Sequence, residues 1–416
     1  MAKKRLLIVV GAGASIEFGM PSVWDVGNII NDEAQRRYPL VARPRSNLYR
    51  HVVGLIRRHW KKHVPSHLRR DPHFEDVLYT VFALAAAYPA GVYTSALGGL
   101  IKAKKLPDFN FYGRQHKIVD QYYLHHLGSV AVDALLSAFR ERCKTSERDK
   151  VAEFAQLQLF LVALRSEFDI AVVTLNYDNI IYRALPGIET GFDPATTQFH
   201  EERIFNRLDW SCMLHLHGSV HFDMPTSSTN DMHEIFWQPN INAMFAQNAS
   251  GRSTHANPEG ADFPTSAIVA GYGKTTQILR RPFRTYYSEL DRLVSGCDAV
   301  LFAGYGFGDP HLNIAFERFR DARRRPIAII NYAKKGSMTL GAADVNDRVA
   351  TSVVHTLHTD LNSMRWLGNS VPSQIDDLLV AREFEVSSDP GTPLSVWYNG
   401  MLEACDNSDK VISKLK

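Results

Sequence analysis

The sequence predicts a doubly wound α/β fold with a mostly parallel sheet, and three observations predict it. A short continuous apolar run, Leu6-Leu7-Ile8-Val9-Val10, ends in glycine, the pattern of a strand buried on both faces. Comparable runs recur at 170–175, 212–217, 298–304 and 326–331, with a further candidate at 352–357. Helical spacing over about 284–296 and 309–322 separates three of these runs, as the crossovers between parallel strands require.

Taken in order, the first strand covers residues 5–10. The next run begins only at Ile170, and the interval is helical in pattern, as in "FEDVLYTVFALAAAY" and "VAVDALLSAFRER". That is too much chain for a plain crossover, so residues 30–165 read as a large helical insertion, a lid or packing subdomain. Residues 222–265, with "MPTSSTND" and "NASGRSTHANPEG", read as a long flap. The predicted division is one domain over 1–365, carrying the insertion and the flap, and a C-terminal extension over 366–416 with one apolar patch, "PLSVWYNGML". No internal repeat is visible.

Composition excludes several classes. With hydrophobic residues at 45% and charged residues at 22% of 416, the chain is neither disordered nor fibrous. A formal charge of +3 gives no electrostatic case for direct nucleic-acid binding, and basic runs such as Arg323-Arg324-Arg325 read as solvated faces. Cys143, Cys212, Cys297 and Cys405 lie far apart, which suggests neither a zinc ribbon nor a disulfide framework and fits a reducing cytoplasm. Behind the basic start Met1–Arg5 only five apolar residues precede glycine, too few for a signal core or a membrane span. A cytoplasmic protein without membrane contact is expected.

Four motifs fall at the ends of the predicted strands. "GAGAS" follows the first, so that Gly11, Ala12 and Gly13 can turn close to a pyrophosphate and Ser15 can donate to it. The third glycine of a dinucleotide fingerprint is missing, since residue 16 is Ile16 and the next glycine is Gly19, and a plain tight turn fits equally. "TLNYDN" places Asn176 and Asp178 at the carboxyl edge, able to grip ribose hydroxyls or a water, or else to close the strand as turn residues. "LHLHGS" puts one of His215 and His217 at that edge, where an imidazole takes a proton near neutral pH; the competing reading is a core histidine. No spacing supplies a third metal ligand. "AGYGFGDPHLN" carries Gly304 and Gly306 ahead of a helix with Asp309 as N-cap and Pro310 in its first turn, and "AIINYAKKG" ends a strand at Asn331. "GYGKTT" at 271–276 is no Walker loop, because the required glycine at 268 is Ile268.

The order of these motifs resembles the sirtuin family, and more closely the bacterial sirtuin-like NAD hydrolases of antiphage defence, over roughly residues 5–360. The resemblance implies a Rossmann-like NAD-binding fold. Asn176 and His217 match the catalytic asparagine and histidine, and Asp178 the aspartate near nicotinamide and ribose. Gly11, Ala12, Gly13 and Ser15 would line the dinucleotide, with Gly304, Gly306 and Asn331 near the adenosine half. It implies NAD as a substrate, hydrolysed to nicotinamide and ADP-ribose, and control through a homo-oligomer or a partner. In related systems that partner is a HerA-type hexameric ATPase or a nucleic-acid-guided protein, and the sequence selects neither. Sirtuin deacylases carry four zinc-binding cysteines soon after the HGS motif, whereas residues 218–270 here contain none. No zinc is therefore expected, and peptide deacylation is the weaker alternative. A nucleotide sensor that binds without cleaving is the other.

Overall fold

The computed structural model describes residues 3–66, 69–87, 106–116, 121–224, 234–243, 256–257, 260–261, 266–270, 277–317, 325–333, 353, 356–357, 372–387 and 393–416. Seven strands make the central sheet: β1 (Lys4–Val10), β2 (Phe168–Thr174), β3 (Met213–His215), β4 (Ala299–Ala303), β5 (Ile327–Ile330), β6 (Glu385–Val386) and β7 (Leu394–Trp397). Their order is β6-β7-β5-β4-β1-β2-β3, with every neighbouring pair parallel except β6 and β7. This is the doubly wound order. The direction of winding reverses between β1 and β4, where such sheets open a crevice at their carboxyl ends.

The helices used below are α1 (Gly13–Ile16), α2 (Val23–Arg37), α3 (Leu48–His63), α4 (Phe74–Ala87), α5 (Gln121–Asp149), α6 (Val151–Glu167), α7 (Ile180–Ala184), α8 (Glu202–Phe205), α9 (Phe283–Gly296), α10 (Pro310–Phe316), α11 (Pro372–Ala381), α12 (Gly400–Asp406) and α13 (Ser408–Leu415). Helices α2 to α6 lie in the interval between β1 and β2, and α2 starts soon after the first glycine turn. Ser22 and Asp25 close a capping box at its N-terminus, each side chain accepting from the other's backbone N–H. Asn47 caps α3 through Arg50 N–H at 2.8 Å. No helix among the described residues is long and apolar enough to cross a membrane.

Central strands read as apolar throughout because both faces are covered: residues 6–10 and 170–174 are all buried. Two departures from the sequence reading concern the sheet's far edge. Of the run 352–357, the described residues 353, 356 and 357 are helical rather than extended. The chain beyond residue 366, expected as an extension, instead supplies β6 and β7, and β7 pairs with β5 from Ile327↔Leu394 to Ile330↔Trp397. The apolar patch at 393–402 is thus sheet and docked helix. Glu17, just after α1, ties the same segment to the first motif by accepting from the backbone of Met401 (2.5 Å) and Leu402 (3.1 Å). Trp397 is fully buried against Phe384. Trp397→Ala should lower stability by about 3–5 kcal/mol, read as a fall in the denaturant midpoint.

Within the flap region, Phe222–Asp223 pairs with Phe236–Trp237 and Ala256–Asn257 with Gly260–Ala261. The "GYGKTT" stretch lies outside the described residues.

Candidate active site

The glycine turns after β1 and β4 interlock at the point where the winding reverses. Gly11 N–H donates to Ala303 O (2.9 Å) and Gly13 N–H to Gly304 O (3.0 Å). A Cβ on Gly11 would stand 2.6 Å from Gly304 O, and one on Gly304, at φ +61, only 1.9 Å from Ala14 N. These glycines are required for two backbones to touch. The first turn also spends the N–H groups of Ala14 on Gly11 O and of Ser15 on Ala12 O, at 3.1 Å each. Ala12 and Gly13 are exposed, and a Cβ on Gly306 would meet nothing within 4 Å.

Asn176 and Asp178 follow β2 and converge on Ser15. Asn176 is buried, and its Nδ2 donates to Gly11 O (3.0 Å) and Ser15 Oγ (2.9 Å). The amide is thereby fixed, and its oxygen is left as the acceptor. Asp178 accepts the Ile180 N–H at 3.0 Å and the Ser15 hydroxyl proton. Burial pushes its carboxyl upward from the ordinary range, against the lowering by those two donors. Ser15, 1% exposed, therefore bridges the two residues and anchors them to the first turn.

The two histidines of "LHLHGS" separate sharply. His215, the last residue of β3, is wholly buried among Tyr182, Phe222 and Trp237. Burial, then the neighbouring His221, lowers it to about 3. His221 stacks on Trp237 at 4.5 Å and is lowered to about 4, again by burial first, with the Gln238 carbonyl opposing. Both lie below the unfolded value of roughly 6.5, so the unfolded chain binds more protons and stability falls as pH drops from about 6.5 toward 4. Replacing the apolar-sited His215 by Leu should flatten that fall in a series of melting curves. An unchanged pH dependence would refute the assignment.

His217 stands beyond the strand end. Thr174 of β2 is in register with His215 of β3, so the two strands stop together, and Asn176 and His217 each follow two residues later. His217 Nε2 lies 3.0 Å from Asp309 Oδ2, both side chains being buried. Sequence reasoning placed Asp309 only as a cap. It does cap α10, through Oδ1 to the N–H groups of His311 (2.9 Å) and Leu312 (3.2 Å). The signal available in the sequence was a carboxylate at a cap that an amide or hydroxyl would serve.

The remaining expected residues line the same edge farther along. Gly304 N–H donates to Ile330 O at 2.8 Å, which sets Asn331, at the end of β5, beside the second glycine turn. The Asn331 side chain accepts from Tyr332 N–H at 2.8 Å. No group of three or more metal-ligating side chains occurs among the described residues, and all four cysteines are free and buried. A cleft of about 400 Å³ lined by Arg5, Arg165, Arg207 and Arg292 opens at the opposite edge of the sheet, where Glu289 pairs with Arg207 and Arg292. It shares no residue with the site above.

A family model described as a SIR2-like domain matches residues 170–345, a span that holds Asn176, Asp178, His217, Gly304, Gly306, Asp309 and Asn331 and leaves out the first turn. The chain is also similar to solved structures of Sir2 proteins. One is Sir2Tm bound to a propionylated peptide, at 11% identity and TM-score 0.30, covering 80% of this chain and 83% of that one. A second, of a Sir2 enzyme, has 15% identity and TM-score 0.32, covering 84% and 92%. A third, a Sir2 homologue mutant in complex with ADP-ribose, has 15% identity and TM-score 0.32, covering 86% and 96%. No curated protein matches the chain in sequence.

Proposed function

We propose that this chain, which carries a SIR2-like domain, hydrolyses NAD at the bond between nicotinamide and ribose, giving nicotinamide and ADP-ribose. The observation that carries the reading is that Asn176, bonded to Gly11 and Ser15 of the first turn, and His217, against Asp309 after β4, each follow by two residues a pair of neighbouring strands that end in register. Nicotinamide leaves a cationic pyridinium as a neutral molecule and needs no general acid. The site must hold ribose, favour an oxocarbenium-like centre and place a water.

In this reading the fixed amide of Asn176 presents its oxygen to the attacking water. The water oxygen bonds to the ribose carbon as the bond to nicotinamide breaks, the bond pair departs with nicotinamide, and the water's proton passes to His217. Asp178 and Ser15 act behind Asn176, holding it to the first turn. Gly11, Ala12 and Gly13 give the pyrophosphate a surface without large side chains, and Gly304, Gly306 and Asn331 serve the adenosine half.

The reading extends, on the sequence resemblance, to NAD depletion in bacterial antiphage defence. Such an activity needs control, through copies of this chain or a HerA-type hexameric ATPase. The test is release of nicotinamide and ADP-ribose from NAD by purified protein, alone and with that ATPase. Equimolar appearance of both supports hydrolysis. NAD bound but intact in every condition would replace it with the sensor reading, and nicotinamide release dependent on an acyl-lysine peptide would replace it with deacylation.

A further inference from the structure

We infer that Asp309 is the positioning residue of the site, its charge holding His217 ready to accept a proton while the same carboxylate fixes the start of α10. This rests on the reading of His217 as the base. The division of labour between the two oxygens motivates it: Oδ1 alone accepts both capping N–H groups, and Oδ2 is the atom 3.0 Å from Nε2. Capping does not require a carboxylate, since Asn and Ser cap as well as Asp. A buried anion does have an effect on a neighbouring imidazole, because it favours the protonated ring, and little water intervenes to screen it.

The neighbouring phenols add no competing charge. Tyr305, from the loop before α10, donates its hydroxyl to Asp309 O at 3.2 Å and to Asn313 Oδ1 at 2.6 Å. Tyr177 after β2 and Tyr287 on α9 also lie in the electrostatic field of Asp309 and of Glu75, which α4 brings from the insertion. All three phenols are pushed upward, by burial first, and so stay neutral across the working range of pH. Asp309 is then an anion in direct contact with His217.

The experiment compares wild type with Asp309→Asn and Asp309→Ser, both of which keep a cap and remove the charge. Histidine-labelled protein is titrated by NMR, with the His217 signal assigned by its loss in His217→Ala. The His217 midpoint should move to lower pH by about one unit or more in both variants. The acid limb of the NAD hydrolysis profile should move with it. Melting temperatures within a few degrees of wild type would show that the cap survives. A His217 midpoint unchanged in a folded Asn or Ser variant overturns the inference. The titration needs no turnover, so an absence of NAD cleavage in every protein would refute the hydrolase reading while this measurement still decides the role of Asp309.

Discussion

His217→Ala protein is expected to hydrolyse NAD roughly 10²–10⁴-fold more slowly than wild type, the usual contribution of a positioned base. The fold should survive, because the helix that abuts the imidazole keeps its cap: Asp309 still accepts from His311 and Leu312. Binding should survive too, since the glycine turns and the Asn331 region are untouched, so the loss should appear in kcat with KM little changed. Asn176→Ala should be equally inactive but less informative. Its amide also holds Gly11 O and Ser15 Oγ, and losing those two buried hydrogen bonds costs about 1–3 kcal/mol of stability. A His217→Ala protein as active as wild type would remove the imidazole from the mechanism.

Gly304→Ala should be the most damaging methyl that can be added to this protein. The residue sits at φ +61, and the new carbon would stand 1.9 Å from Ala14 N and 2.4 Å from Gly13 C. Both obstacles are backbone, so no side chain can swing away. Left-handed geometry costs about 1–2 kcal/mol for an alanine, and an overpacked contact a further 1–3 kcal/mol or more. The two turns would have to part, taking Gly11 and Gly13 with them, and with them the surface offered to the dinucleotide. Gly306→Ala is the control: a Cβ there meets nothing within 4 Å, and melting should change little. Equal stability of the two variants would mean that the turns do not interlock as described.

Much of this was legible in the sequence. The strands at 4–10, 168–174, 213–215, 299–303 and 327–330 are short apolar runs closed by glycine or polar residues, and burial on both faces of a parallel sheet leaves that local trace. The same strand ends gave Asn176, Asp178, His217 and the glycine turns, since ligand chemistry in such sheets sits where the strands stop. Asn176 and Asp178 both meet Ser15, although the chain has left the strand by then.

Sequence alone therefore determined the sheet's central strands, their doubly wound class and the residue types at the carboxyl edge, because each depends on patterns a few residues long. Only tertiary structure decided the rest. The alternation of "LHLHGS" cannot tell a buried histidine from a site histidine; that choice came from β3 ending at His215 and from Asp309 arriving opposite His217. The polar tail gave no sign of a sheet strand, because β7 is defined by its pairing with β5, some way back along the chain, and by the burial of Trp397 that follows. That the backbones of Gly11, Gly13 and Gly304 press together shows only in the fold. Contacts between distant segments leave no local period, so the chain has to be folded before they can be seen.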